Sequence, residues 1–298
     1  MASLKVLRRR IRSVTSTRQI TKAMEMVAAA KLRRAQVRAL ATRPYASKLT
    51  GMLESLAAVA REQELPGAAR ACGGVPAGAP AAGEVKQTAL VLISSNRGLC
   101  GAFNTNLFRA AEERLRDAAP GSLALVVVGR KGRDHFRRRN WPVLATFADL
   151  GDDVGVESAR RVAADLLERF ESGTVDKVEI LYTRFHSALR RQVTFETFLP
   201  IGAAPAAGEP AVARDIIFEP GLESIFAALL PRFASARILA ALADSRASEE
   251  GARMTAMGAA NKNADELLDL LVLQRNRLRQ SMITREILDI VGGAEALK

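Results

Sequence analysis

The chain has 298 residues, 48% of them hydrophobic, and a formal net charge of +12, which is enough apolar material for one sizeable core plus an accessory element. Apolar runs such as Leu123 to Val128 fall far short of the roughly 20 residues that cross a bilayer, and the N-terminus has no apolar secretory core. The two cysteines, Cys72 and Cys100, cannot make a disulfide framework, so a reducing compartment is expected.

Residues 1–48 hold 13 Lys/Arg against the single acid Glu25, a balance of +12 that equals the charge of the whole chain. Residues 2–43 lack both proline and glycine, so nothing interrupts a helix there. At about 1.5 Å per residue such a helix is roughly 60 Å long, more than a domain of this size can wrap. A projecting basic rod is expected, and its stripe suits an acidic protein face, nucleic acid or anionic lipid. Nucleic-acid binding by a basic coiled coil is the rival reading. Stacking on single strands favours aromatics, and residues 1–44 contain no Phe, Tyr or Trp.

Residues 62–84 shift to Ala, Gly and Pro, a surface excursion without a core face. A second such stretch, Gly202 to Pro210, closes a middle region. Within it, Gln87–Ser95, Ser122–Gly129, Lys177–Phe185 and Gln192–Leu199 read as strands, while Asn104–Ala118 and Gly155–Glu171 read as helices. That alternation predicts an α/β layer with a partly parallel sheet. The expected divisions are 1–61, 62–84, 85–209 and 210–298.

From Leu222 onward one 3,4 register runs through Phe226, Phe233, Ala240, Ala247, Met254, Asn261, Leu268 and Arg275 to Arg285. Its period of 3.5 implies a left-handed coiled coil, with the N-terminal helix as partner. Leu4, Leu7, Ile11 and Val14 keep that spacing, after which the register slips before Ile20, Met24 and Val27. Gly251 and Gly258 weaken the long helix locally, at about 1 kcal/mol each relative to Ala.

No active site assembles from the sequence. Arg97, Gly98, Cys100, Gly101 and Asn104 form a strand-to-helix turn with Asn104 as a helix cap, but the lysine of a nucleotide loop is missing. Cys100 needs a base to act as a nucleophile, and the only histidines are His135 and His186. No metal-ligand spacing is present, and no catalytic, cofactor or metal residue is expected. The acidic pairs Asp152/Asp153 and Glu249/Glu250, and the basic run Lys131–Arg139, read as solvated.

Three segments then carry a resemblance: RRRIRSVTSTRQITKAMEMVAAAKLRRAQ at the start, RGLCGAFN in the middle and RQSMITREILDIVGGAEAL at the end. Together they resemble the gamma subunit of F-type ATP synthases over nearly the whole chain, with Ile283, Thr284, Glu286, Asp289, Gly293, Ala294 and Ala296 at the offsets of the family signature. Arg275 stands where the family usually has Tyr, and an extra cation on the seam is expected either to alter packing or to form a local pair with Asp or Glu.

The resemblance implies α/β plus a long antiparallel coiled coil, with a central Rossmann-like α/β domain between the terminal helices. It implies a non-catalytic rotor shaft, one copy per complex, that couples proton-driven turning of the c-ring to ATP synthesis or hydrolysis. The implied partners are the alpha, beta, epsilon and delta subunits and the c-ring, with no nucleic acid and no cofactor. Lys22, Met24, Arg279, Gln280 and Thr284 would contact beta, and Phe218, Glu219 and Pro220 would form the foot toward the c-ring. The motif begins almost at Met1, so a bacterial protein without a cleaved presequence is expected, peripheral at the cytoplasmic face of the inner membrane. The thiol switch of chloroplast members does not carry over to Cys72.

Overall fold

A computed structural model describes residues 4–62, 87–149, 155–201 and 221–295. The 62–84 excursion from residue 63 on, with Cys72, lies outside the described residues, as do Asp152, Asp153, Phe218, Glu219, Pro220 and Ala296. The elements in chain order are α1 (Leu4–Glu62), β1 (Thr88–Ile93), α2 (Phe103–Asp117), β2 (Leu123–Val128), α3 (Arg130–Arg137), β3 (Val143–Phe147), α4 (Val156–Glu171), β4 (Lys177–Phe185), β5 (Arg191–Leu199) and α5 (Leu222–Glu295). By contacts the chain divides into two compact units, Met1–Ala29 with Arg253–Lys298, and Ala30–Ala252.

The larger unit is built on a five-stranded sheet of order β3-β2-β1-β4-β5. The first four strands are parallel and β5 runs antiparallel to β4. The period-2 alternation of β1 sorts its side chains onto two cores. Ala89, Val91 and Ile93 face a core completed by Leu49 and Leu53 of α1, Val162 and Leu166 of α4, and Phe226 and Phe233 of α5. Leu90 and Leu92 face the other, with Leu107 and Ala111 of α2 and Phe136 of α3. Because both faces are covered, β1 and β2 are apolar and buried throughout, as parallel strands require. At the edge, β5 is half-buried or exposed from Arg191 to Thr197 and buried only at Phe198 and Leu199, and it carries Arg191 and Glu196, which discourages pairing with another chain.

Two elements go beyond the sequence reading. The strand Val143–Phe147 was hidden because it is short and follows Pro142. The basic run folds as α3, whose Gly132 and Phe136 are buried while Arg137 to Arg139 stay exposed.

In the smaller unit the two terminal helices run antiparallel. Arg18 Nη1 meets Asp265 Oδ1 at 2.9 Å, and Glu25, seven residues on, meets Gly258, seven residues back on α5. On α5 the predicted register holds as far as Leu278: Met257, Ala264 and Leu271 are buried, and Met254, Asn261, Leu268, Arg275 and Leu278 are half-buried, whereas Arg285, where the register was expected to end, is exposed, as is Met282. On α1 the expected slip does not occur in space. The seam continues from Val14 through Arg18, Thr21 and Glu25 to buried Ala28, while Ile20 and Val27 are exposed. Polar side chains thus replace apolar ones in an unbroken seam. One stretch of α5 is apolar and long enough to cross a bilayer by composition alone; burial against α1 and the sheet accounts for its character.

Candidate functional site

The turn after β1 lies at the C-terminal end of a central strand, flanked by β2 on one side and β4 on the other. In open α/β sheets that switch point is where ligands bind. Here the space is filled by the chain itself. The first amides of α3 would form an anion site, yet Arg130 N donates to Asn96 Oδ1 at 3.1 Å and Lys131 N to the Ser95 carbonyl at 3.0 Å. Gly132 N donates to Ser94 Oγ at 2.9 Å. The approach is so close that a Cβ on Gly129, whose φ is +97°, would strike the Ser94 carbonyl oxygen. Asn104 does not cap α2; the cap residue is Ala102, without a side-chain bond. Asn104 instead ties the turn together, accepting from Ser95 N at 3.2 Å and donating to Cys100 Sγ at 3.3 Å. Gly101, at φ 55°, supplies the left-handed step of the turn.

The same strand ends hold α5. Ser245 Oγ donates to the Ile93 carbonyl at 3.3 Å and Ser248 Oγ to the Thr183 carbonyl at 2.9 Å. Cys100 and Phe103 pack on Ala252. The β4–β5 hairpin tip reaches the neighbouring residue: a Cβ on Gly251 would sit 3.4 Å from Arg191 Nη1 and 3.6 Å from the Ala188 carbonyl oxygen. Gly251 is therefore a place of close approach and not merely a weak point. Between Ala241 and Ala252 every residue but Arg246 is buried.

A polar clamp completes this seat. Arg43 of α1 bonds both the Phe185 carbonyl of β4 and Asp244 Oδ1 of α5, the latter at 2.7 Å. Burial pushes the Asp244 carboxyl above its ordinary range, and the Arg43 hydrogen bond offsets only part of that. Glu196 on β5 accepts from Tyr182 Oη, Arg184 and Arg237 at 2.7 to 2.8 Å. Tyr182 is held well above the usual phenol range, first by burial and then by that carboxylate. The pair Glu249/Glu250, expected to be solvated, is buried, and both carboxylates meet Arg246, at 2.8 and 3.1 Å. The pairs Arg43/Asp244 and Arg237/Glu196 join different elements and could not be picked from the sequence; Arg246 lies on the same helix as Glu249 and Glu250, and there it was the burial that the sequence did not show.

Cys100 is buried against Asn104 and Ser95. His135 is engaged by Glu112 at 2.8 Å and stacks on Phe108. Among the described residues no three His, Cys, Asp or Glu side chains gather as a metal site.

The residues expected to meet partners behave differently. Lys22, Arg279, Gln280 and Thr284 are exposed and Met24 is half-buried. Lys22 pairs with Glu25 at 3.1 Å. Set by the Arg18/Asp265 level, Lys22 lies opposite Asn261, so Arg279 stands roughly 27 Å farther along the coil at 1.5 Å per residue. The two groups of residues are separate levels of one surface. Ile283, Glu286, Asp289 and Gly293 belong to the run Ser281–Gly293, exposed at every position. Ala294 is helical in backbone. Arg275 bonds the Asn276 side chain at 3.0 Å, an amide oxygen in place of the acid that was one of the two expected outcomes.

The chain matches the family described as ATP synthase over residues 3–297. It is 47% identical over 298 residues to the ATP synthase gamma chain of Moorella thermoacetica and 42% identical over 325 positions to that of Sorangium cellulosum, each alignment covering 100% of both chains. Among solved structures it is similar to a chain of the Euglena gracilis mitochondrial ATP synthase OSCP/F1/c-ring assembly, with TM-score 0.70 and 21% identity over 99% of this chain and 94% of that one. A chain of the Tetrahymena thermophila mitochondrial ATP synthase central stalk/c-ring gives TM-score 0.59 and 24% identity over 81% and 99%. At those identities the structural likenesses speak to fold.

Proposed function

The chain belongs to the ATP synthase gamma chain family, and from that premise we propose how its geometry serves the complex. It is the central rotor shaft, coupling turning of the c-ring to ATP synthesis or hydrolysis at the alpha/beta ring. Its own part is mechanical, not catalytic. The observation that carries this reading is the self-filled switch point: where an α/β domain would bind a ligand, this one grips a long helix through Ser245, Ser248, Ala252 and Arg43.

A shaft needs firm attachment at one place and weak, repeated contacts at another. The exposed run Ser281–Gly293 offers the second kind. Ile283, Ile287, Leu288, Ile290 and Val291 are exposed and share one broad face of the helix at 100° per residue, an apolar surface that can slide along a sleeve without breaking directional bonds. Arg279, Gln280 and Thr284 would make polar contacts with a beta loop, and Lys22 and Met24 would meet an acidic region of beta. Exposed ion pairs are worth about 0.2–1 kcal/mol, weak enough to exchange at each step. Phe218 to Pro220 would form the foot toward the c-ring, with epsilon against the central domain and delta elsewhere in the complex. The complex would sit at the cytoplasmic face of a bacterial membrane, this chain being peripheral.

The test is assembly. Mixing the chain with alpha and beta subunits is expected to yield a complex with one copy of it and to raise ATPase turnover above that of alpha and beta alone. Absence of assembly, together with retention on DNA that falls steeply with salt, would favour the nucleic-acid reading instead.

A further inference from the structure

The larger unit holds a cavity of about 570 Å³ between α1, α4 and α5. That volume lies within the range of small-molecule sites. Its walls are apolar and cut from small residues, with Ala163 and Leu167 of α4 facing Ala236 and Leu239 of α5. Five lining side chains carry polar groups, and of these Tyr45, Arg160 and Arg232 are exposed at the surface.

Among the described residues the two guanidinium groups are weakly paired. Arg232 makes no ion pair among the described residues. Arg160 reaches only Glu157, at 3.9 Å, with both side chains more than half exposed. Val156 and Arg160, on the first turns of α4, line the cavity, and Gly155 is the N-cap residue of that helix. The positive end of a helix thus adds to two guanidinium groups. An apolar trough with a cationic mouth matches one ligand chemistry, an alkyl chain ending in an anion.

We propose that this cavity binds a soluble single-chain amphiphile with an anionic head group, the alkyl chain lying along Ala163, Leu167, Ala236 and Leu239 and the head meeting Arg160 and Arg232. A nucleotide or sugar fits poorly, because the walls offer it few hydrogen bonds: Ser235 Oγ donates to the Pro231 carbonyl and Thr42 Oγ1 to that of Ala39. The site stands on the larger unit alone and does not depend on the shaft reading.

Calorimetric titration of the full chain with dodecanoate, below its micelle concentration, tests the proposal. One saturable site per chain is expected. Decanoate should bind about tenfold more weakly, from the transfer of two methylenes. Arg160→Gln with Arg232→Gln should weaken dodecanoate several-fold while leaving dodecanol unchanged; both positions are on the surface, and thermal unfolding confirms that the variant folds. Equal binding of dodecanol and dodecanoate by the parent chain would overturn the role of the arginines. Unsaturable uptake of many molecules per chain would overturn the site. Capture on anionic phospholipid vesicles without binding of free dodecanoate would assign the cations to a membrane surface and refute the proposal.

Discussion

Truncating Arg43 to Ala tests how the long helices are seated. The guanidinium bonds the Phe185 carbonyl and Asp244 Oδ1, so the loss removes two charge-assisted bonds at once. Breaking a fully buried ion pair costs about 3–5 kcal/mol, because the remaining charge is stranded. Asp244 is stranded in this sense, its side chain being 5% exposed, but Arg43 is 37% exposed and water can enter behind it. That screening lowers the expected cost to about 2–3 kcal/mol. Asp244→Asn removes the buried charge and keeps an acceptor for Arg43, so its cost should be smaller, about 1 kcal/mol. Burial already works against the carboxylate there, which makes the asymmetry the informative quantity. Urea unfolding of the full chain and both variants, followed by circular dichroism, reads it directly. The Arg43→Ala deficit should also narrow toward pH 5, as the stranded carboxyl takes up a proton. Equal costs for the two variants, or a deficit below about 0.5 kcal/mol for Arg43→Ala, would refute the clamp.

Other outcomes follow from the same geometry. Glu179 is drawn below its ordinary range because bonds from Lys177 and Arg114 outweigh its burial. The unfolded chain then binds the proton more readily, so this stabilisation is present at neutral pH and lost as pH falls through the carboxylate range; Glu179→Gln should destabilise at pH 7 and by less at pH 4 in urea titrations. Gly129→Ala sets a Cβ onto the Ser94 carbonyl at φ +97° and should cost more than about 3 kcal/mol, from strain and overpacking together, with soluble yield falling accordingly. By contrast, Gly258→Ala meets only Glu25, at 3.4 Å, and should raise thermal stability by up to about 1 kcal/mol from helix propensity. In the assembled complex, Met24→Lys should lower coupling through an over-strong ionic contact, and Arg279→Ala or Gln280→Ala should slow turnover; unchanged proton pumping and ATP hydrolysis would remove these residues from the interface.

What could be read from the sequence is what depends on local period. The heptad of α5 needs no knowledge of its partner, and Met257, Ala264 and Leu271 are buried as it requires. The apolar strands β1, β2 and β4 were legible for the same reason. The seam of α1 was misread because Arg18, Thr21 and Glu25 occupy it, and their fitness rests on Asp265 and Gly258 some 240 residues away. Buried charge was equally invisible: Glu249 and Glu250 look like solvent residues until Arg246 and the surrounding packing are known. The central turn lacks the lysine of a nucleotide loop. Its actual task appeared only when Ser94, Ser95 and Asn96 were found filling the amides of α3.

Two energetic regimes therefore share one helix. Along Ala241–Ala252, α5 is held by buried hydroxyl-to-carbonyl bonds, by the Arg43 clamp and by close backbone approach at Gly251. Each such bond contributes about 1 kcal/mol or more where no water can replace it. Together they resist sliding or turning of the helix against the sheet. Along Ser281–Gly293 the same helix offers exposed side chains, with no ion pair among the described residues. Between them, from Met254 to Leu278, a regular seam keeps α1 and α5 in register, with Arg18/Asp265 costing little to strain. A torque entering at the strongly held end is transmitted through the continuous helix more readily than it is lost by slipping in its seat. The weak end can then exchange contacts without unfolding. On the proposed rotor role, strengthening the exposed end is expected to oppose rotation, and weakening the seat is expected to let the helix slip against the sheet.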